Sequence, residues 1–505
     1  MFTFEYEVKA SLPLLAWLAV IPKNSKTVKV LCGEKVERRD SFFTAGVWDG
    51  DFEKAGFDCS EVFYGTGAKL TEDGICFITP SHALERLVLA DNGKEITVSN
   101  SVPFLLTYNH YDPDRRIDQY ERLMCSILDG PKKMTERIPM KDGAEIRQFI
   151  VSSVLVDSDY RVSVKQREKI KPFTSFSDYY QRMVDAVKRV ALNADSPERR
   201  NSGFGVVSTI SSGYDSLTAA CVAKEIGCDT VVALSGGHYD IDDGSEAARQ
   251  LGYKNIVKRD MLEYRGMKGL VDAEYLASGE MGTMLQFRVF EDLFRNNLVF
   301  FGLRGSYWSK AVDMTDEFEM IGYFNCEADV SLTENALRNG YVSVPLPTYG
   351  ASVASSVERI SNSEEMKPWT LNTNYDKPIP RRILETHGVS RDAFGQVKYG
   401  GGFSFYRDNL KRLSGRMSVE GFVAFKDFRK RRRGVIRSPK SAAHVLRYVR
   451  LNLPIYLNYM AVKLKLPFRL KQKPHRYANP GAVADLFFWG VDVMKKRYAE
   501  AMNQV

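Results

Sequence analysis

The sequence predicts an α/β protein. A β-rich N-terminal domain comes first, then a doubly wound parallel-sheet domain, then a basic helical tail. Three observations predict it. Up to about Leu106, short apolar runs alternate with Gly, Asn and Asp breaks, as in Val28 to Cys32, Gly74 to Ile78 and Glu95 to Val98. That is the pattern of strands joined by turns. From Phe204 to Leu303, strand-like apolar runs alternate with helical segments, as parallel βαβ units do. From Gly421 onward the chain is basic and aromatic, with breaks at Gly434, Pro439, Pro454 and Pro467. A chain of 505 residues exceeds the ~250–300 residues of a single core. The boundaries expected are 1–165, 166–420 and 421–505.

Within the first domain, SLPLLAWLAVIP (Ser11 to Pro22) reads as a buried strand pair. It is shorter than the ~20 apolar residues a membrane span needs, and it has neither a basic lead nor a small-residue cleavage site. Tyr111 to Glu121 is polar and leads into a helix. Ile138 to Val164 reads as a hairpin turning at Lys141-Asp142-Gly143. Ser175 to Leu192 reads as a helix capped by Ser175 or Ser177, with Tyr180, Met183, Val187 and Val190 at helical spacing. Strands are expected at Phe204 to Ile210, Thr230 to Leu234, Asn255 to Lys258 and Leu298 to Leu303. Helices are expected at Asp215 to Ile226 and Ser245 to Leu251.

Composition narrows the function. The seven cysteines form no CxxC pair and the six histidines are scattered. This fits a reducing cytoplasm and argues against a disulfide framework or a zinc centre. The net charge of +8 is unevenly placed. Between Lys426 and Arg476 sixteen Lys or Arg face one acid, Asp427, a local +15 that leaves the rest at −7. Such a region suits an anionic membrane surface, a nucleic-acid backbone, or a solvated face whose apolar side packs inward. Of these, nucleic acid is the least favoured.

The chemistry-bearing segment is Ser211-Ser212-Gly213-Tyr214-Asp215-Ser216, placed between an apolar strand and a helix. Small residues let backbone N–H groups approach phosphate oxygens, and the helix N-terminus adds a favourable dipole. Ser211, Ser212 and Ser216 offer hydroxyls, and Asp215 suits Mg²⁺. On local chemistry alone, a serine-rich turn that caps a helix explains the same residues. The side chain of Tyr214 suits either stacking on a base or core packing.

This loop resembles the Ser-Gly-Gly-x-Asp-Ser pyrophosphate loop of the ATP pyrophosphatase superfamily. The order of segments from about Arg115 to Gly402 resembles its asparagine synthetase and β-lactam synthetase branch. The resemblance implies ATP and Mg²⁺ as cofactors. It assigns Ser211, Ser212, Gly213, Tyr214, Asp215 and Ser216 to the pyrophosphate loop and Ser235 to the adenosine side. Asp242 to Arg249 looks like the acidic start of the family's next helix. Leu298 to Trp308, with Gly302 and Gly305, resembles a second pyrophosphate-contacting loop. Glu334 and Arg338 resemble the family's catalytic Glu–Arg segment. Pro378 to Arg382 and Phe394 to Lys398 resemble its last active-site stretch, where Lys398 would stabilise the acyl-transfer transition state. Lys310 is a second cationic candidate.

Two positions depart from the pattern. Ser212 replaces a glycine, and Ser306 replaces an acid, leaving Asp313 as the nearby metal candidate. The N-terminal domain resembles an N-terminal-nucleophile glutaminase, but Phe2 stands at position 2 and the first cysteine is Cys32. Glutamine hydrolysis by that domain is therefore not expected. The implied function is an AMP- and pyrophosphate-forming amide ligase that activates a carboxylate as an acyl-adenylate. Its acid would be a small molecule or a uronic-acid-type sugar, and its nitrogen source ammonia or an amine. The alternatives are a PP-loop RNA-modifying enzyme and a non-catalytic scaffold with a decayed nucleotide site. The expected location is cytoplasmic, peripheral to the membrane.

Overall fold

The computed structural model describes residues 1–117, 120–129, 134–201, 203–280, 282–303, 305–309, 332–373, 375–397, 405, 408–435, 453, 457, 460–461 and 480–504. Among the described residues the β-rich N-terminal region holds thirteen strands: β1 (Thr3–Val8), β2 (Trp17–Pro22), β3 (Thr27–Cys32), β4 (Glu37–Arg38), β5 (Phe42–Trp48), β6 (Phe63–Leu70), β7 (Gly74–Ile78), β8 (Leu87–Asp91), β9 (Glu95–Ser99), β10 (Arg137–Pro139), β11 (Glu145–Phe149), β12 (Ser152–Asp157) and β13 (Val162–Gln166). They form a seven-stranded sheet, β1-β3-β2-β9-β8-β11-β10, and a six-stranded sheet, β13-β12-β7-β6-β5-β4. Trp17 on the first sheet meets Phe43 edge-on at 4.9 Å and stacks over Phe77 at 6.1 Å, both on the second. The two sheets therefore pack face to face around a shared apolar layer. The indole N–H of Trp17 is satisfied inside that layer by Thr66 Oγ1 at 2.9 Å.

Two sequence expectations change here. Ser11 to Pro22 holds one strand, β2, because the Ala16 N–H donates to Pro13 O and closes a turn ahead of it. The 138–164 segment is two hairpins rather than one. The first, β10–β11, turns through 141–143, where Asp142 and Gly143 take left-handed φ of 59° and 80°. The second, β12–β13, belongs to the other sheet.

The second region carries a five-stranded sheet built from β14 (Gly205–Thr209), β15 (Thr230–Ser235), β16 (Asn255–Asp260), β17 (Asn297–Phe301) and β18 (Val342–Pro345). All neighbours are parallel, in the order β16-β15-β14-β17-β18. The chain grows outward from β14 on one side, then returns and grows outward on the other. Its order thus reverses between β14 and β17, the place where open parallel sheets form a ligand crevice beyond their strand C-termini. The helix before the sheet, Phe176–Ala194, is capped by Ser175, whose Oγ accepts from the Asp178 N–H at 3.1 Å.

The C-terminal region is more than a tail. The helix Pro480–Asn503 lies in the continuous core. Tyr498 stacks on Phe104 at 4.8 Å and Phe487 stacks on Tyr120 at 5.3 Å. The basic helix Val419–Val435 runs through Gly434, where a break was expected, and turns Phe425 and Phe428 inward. Arg429 and Arg432 both reach Asp485 of the C-terminal helix, at 2.8 and 2.7 Å. Among the described residues no helix is long and apolar enough to cross a membrane.

Candidate functional site

Strand β14 is buried along Val207 to Thr209 and delivers Ser211 to Ser216 to the C-terminal edge of the sheet. The helix Tyr214–Lys224 starts there, with Gly213 at its cap in extended conformation and no side chain closing the cap. The loop is half-buried apart from Tyr214, and its donors are engaged internally. Ser211 N donates to Ser216 Oγ and Gly213 N to Ser211 Oγ, at 3.0 and 3.1 Å. The Tyr214 N–H points at Tyr375 Oη, 3.4 Å away. The Ser212 N–H and hydroxyl both donate to Asp242 Oδ1, at 3.0 and 2.6 Å. A carboxylate oxygen thus sits where these donors would meet a phosphate oxygen.

Two glycine positions bring a second loop against the first. A Cβ on Gly302, which follows β17, would lie 2.2 Å from Ser216 N, and one on Gly305 would lie 2.7 Å from Asp215 Oδ1. On the opposite side, a Cβ on Gly244 would lie 2.4 Å from Ser211 O. Side chains at these positions would displace the loop backbone. Ser235, at the end of the neighbouring strand β15, is half-buried on the same sheet edge, and its carbonyl accepts from Met261 N at 2.9 Å. The residue that joins the two loops is Lys377. Its buried ammonium donates to Asp215 Oδ1 and Oδ2 at 2.6 and 2.8 Å and to Gly305 O at 2.8 Å. A lone lysine ahead of Pro378 carries no local sequence signal for this role.

Other expected residues fall elsewhere. The ring of Tyr214 is fully buried beside Tyr375 at 4.9 Å and Phe394 at 5.7 Å, and its hydroxyl accepts from Arg381. Of its two readings, core packing is what the structure contains, because no face of the ring is left for a base. Arg381 is itself fully buried and also pairs with Glu385 at 3.3 Å, while Arg382 pairs with Glu365 at 2.9 Å over the Phe176 ring. Both guanidiniums are thus taken up by pairing within the protein. Gly395 N donates to Ser212 O at 2.8 Å, so that segment does reach the loop. Lys398, Lys310 and Asp313 lie outside the described residues, and Ser306 is described for its backbone alone.

Glu334 and Arg338 do not bond the loop, nor do they pair with each other. Glu334 is buried and accepts from Ser101 Oγ and Tyr498 Oη, both at 2.8 Å. It ties the β-rich region, the parallel-sheet region and the C-terminal helix together. Burial pushes its carboxyl up to about 8. Arg338 pairs with Glu274 at 2.9 Å and with Glu291 at 2.5 Å. Burial pushes the Glu274 carboxyl up, and the guanidiniums of Arg288, Arg338 and Arg497 overcome that and hold it at about 2. Glu334 and Arg338 thus belong to a buried network that short-range spacing does not encode.

A polyphosphate fits the small-residue loop only if it replaces the Asp242 contacts. Its charge would fall beside Lys377. Among the described residues no group of three His, Cys, Asp or Glu gathers. Asp215 offers a single carboxylate at the loop, and Mg²⁺ commonly takes one or two carboxylates and fills its octahedron with phosphate and water. The chain matches no protein-family model and no curated protein.

Proposed function

We propose that this chain is an ATP-dependent, AMP- and pyrophosphate-forming ligase of the asparagine synthetase-like kind. It would activate a carboxylate and join it to ammonia or an amine. The observation that carries this reading is the meeting of two glycine-bearing loops at the strand-order reversal, with Lys377 held between Asp215 and Gly305. In that reading Ser211, Ser212, Gly213 and Ser216 donate to the phosphates, Asp215 holds their Mg²⁺, and Lys377 neutralises the charge that gathers on the departing pyrophosphate. Gly302 and Gly305 let the second loop lie directly against the first, and Ser235 faces the nucleoside side. ATP supplies a good leaving group. The protein supplies placement and charge compensation. The two stacked sheets of the N-terminal region support its reading as a glutaminase-like domain. Lys398 and Asp313 keep the roles that the resemblance gives them.

The experiment is direct. Purified full chain is incubated with ATP, Mg²⁺, an amine and candidate acids, uronic acids among them, and pyrophosphate and AMP are assayed. The expected result is release that depends on one acid and is abolished in Asp215→Ala, with folding checked by circular dichroism. A second reading draws on the Asp242 carboxylate that already occupies the Ser212 donors. In it the chain binds nucleotide as a scaffold and does not turn it over. Nucleotide binding without pyrophosphate release from any acid would select it. No binding at millimolar ATP would end both.

A further inference from the structure

The roles given above leave one hydroxyl at the loop without a task. Asp376 is buried, and its Oδ2 accepts from the Leu371 and Asn372 N–H groups at 2.9 and 2.8 Å. Its two neighbours in the chain both reach the loop. Lys377 takes Asp215 and Gly305. Tyr375, half-buried, goes to the start of the helix Tyr214–Lys224. Its Oη lies 3.4 Å from Tyr214 N and 3.5 Å from where a Cβ on Gly213 would stand. Its ring meets that of Tyr214 at 61°, with centroids 4.9 Å apart. Tyr214 is in turn fixed by the Arg381 guanidinium and the Phe394 ring. Packed side chains and a closed turn therefore place this hydroxyl, which is the support a binding group needs.

We propose, on the nucleotide reading of this site, that Tyr375 is a further phosphate-binding residue. Its hydroxyl donates to an oxygen of the polyphosphate held by residues 211–216. Two residues outside the loop offer oxygens to its backbone N–H groups, and the two differ in chemistry. Asp242 is a carboxylate with only lone pairs to give, so a phosphate oxygen must expel it from Ser212. Tyr375 carries a proton. Its oxygen accepts from the Tyr214 N–H in the free protein, and rotation about the C–O bond turns the proton toward an arriving anion. Burial first, and the nearby Asp215 carboxylate next, push the hydroxyl pKa up, so the proton stays in place at neutral pH. The exchange gives up little. At 3.4 Å the contact with Tyr214 N is longer than a good N–H···O bond, whereas a hydroxyl that donates to a phosphate oxygen makes a short, charge-assisted one.

The test is calorimetric titration of the full chain and of Tyr375→Phe with ATP and with inorganic pyrophosphate, each with Mg²⁺. The variant keeps the ring and its packing on Tyr214 and removes one oxygen. Both ligands should bind it about tenfold more weakly, the lower end of what a charge-assisted hydrogen bond contributes. Hydrogen exchange of the 211–216 amides in the ligand-free variant, Tyr214 aside, should match wild type. Unchanged affinity overturns the assignment while the nucleotide reading stands. Tighter binding overturns it as well, and makes Tyr375 a competitor for the loop as Asp242 is. Faster exchange throughout the ligand-free loop also overturns it, because Tyr375 would then shape the loop rather than meet the phosphate. If wild type binds neither ligand, the nucleotide reading itself fails and takes this assignment with it.

Discussion

Lys377→Met is the substitution with the most specific consequence. It keeps the aliphatic stem and deletes the ammonium that donates to both carboxylate oxygens of Asp215 and to Gly305 O. The lysine side chain is 4% exposed and that of Asp215 is 23% exposed. Breaking a fully buried pair costs about 3–5 kcal/mol, and partial solvent access to Asp215 brings the expected cost down to about 2–3 kcal/mol. Asp215→Asn leaves the more deeply buried lysine short of an anion and should cost about 2 kcal/mol. The double variant leaves no buried charge unpaired. The two losses should therefore fall short of additive by about 1.5–2 kcal/mol, the range seen for residues that touch. Native-state hydrogen exchange of the 211–224 amides reads the local opening free energy, and it needs no two-state assumption for a chain of several regions. A Lys377→Met cost below about 0.5 kcal/mol, or an additive cycle, would show that the lysine does not hold the two loops together.

Three further outcomes follow from the same contacts. Glu334 titrates at about 8 against an ordinary 4.5 because it is buried. The folded chain then holds a proton that the unfolded chain has lost, so this group's stabilisation is full below pH 4.5 and disappears as pH rises through about 8. At about 1.4 kcal/mol per unit the effect is at most about 5 kcal/mol. Glu334→Gln should flatten the thermal midpoint across that window, and parallel curves for variant and wild type would contradict the assignment. Gly302→Ala places a Cβ 2.2 Å from Ser216 N. It should push the loop backbone aside at a cost of about 1–3 kcal/mol and remove nucleotide binding, while the far-UV spectrum stays the same. Asp242→Ala frees the Ser212 N–H and hydroxyl and removes a competing anion. ATP should then bind about tenfold more tightly by calorimetry, as a charge-assisted bond of about 1.5–3 kcal/mol no longer opposes it. Weaker binding in Asp242→Ala would assign Asp242 to the ligand instead.

Much of the parallel sheet could be read from the residues. Strands β14, β15 and β17 are apolar runs, and burial inside the sheet imposes that pattern, whereas the edge strand β16 is half-exposed and mixes apolar with charged residues. The fifth, β18, escaped because Val342-Ser343-Val344-Pro345 is only four residues long and ends in a proline, which usually argues against a strand. The loop was legible because small residues between strand and helix are a local chemical pattern. Its neighbours were not. Lys377 reaches Asp215 across 162 positions, and Tyr498 reaches Glu334 across 164. Local periodicity carries no information about such pairs. Glu334 and Arg338 show the same limit of local reading. Their order along the chain suggested chemistry, whereas their partners Ser101, Tyr498, Glu274 and Glu291 make them fasteners between regions. The C-terminal region was read by its net charge. Its inward aromatic face became visible only once Phe487 and Tyr498 had partners from the N-terminal half.

The most direct test of the central claim is hydrogen exchange at residues 211 to 216, with and without ATP and Mg²⁺. A triphosphate held by this loop would exchange the Asp242 contact for phosphate oxygens, so the Ser212 and Gly213 amides should become strongly protected on nucleotide addition. The same addition to Asp215→Ala should leave them unchanged. Protection that appears elsewhere in the chain while these amides stay as they were would place the nucleotide at another site and contradict the account.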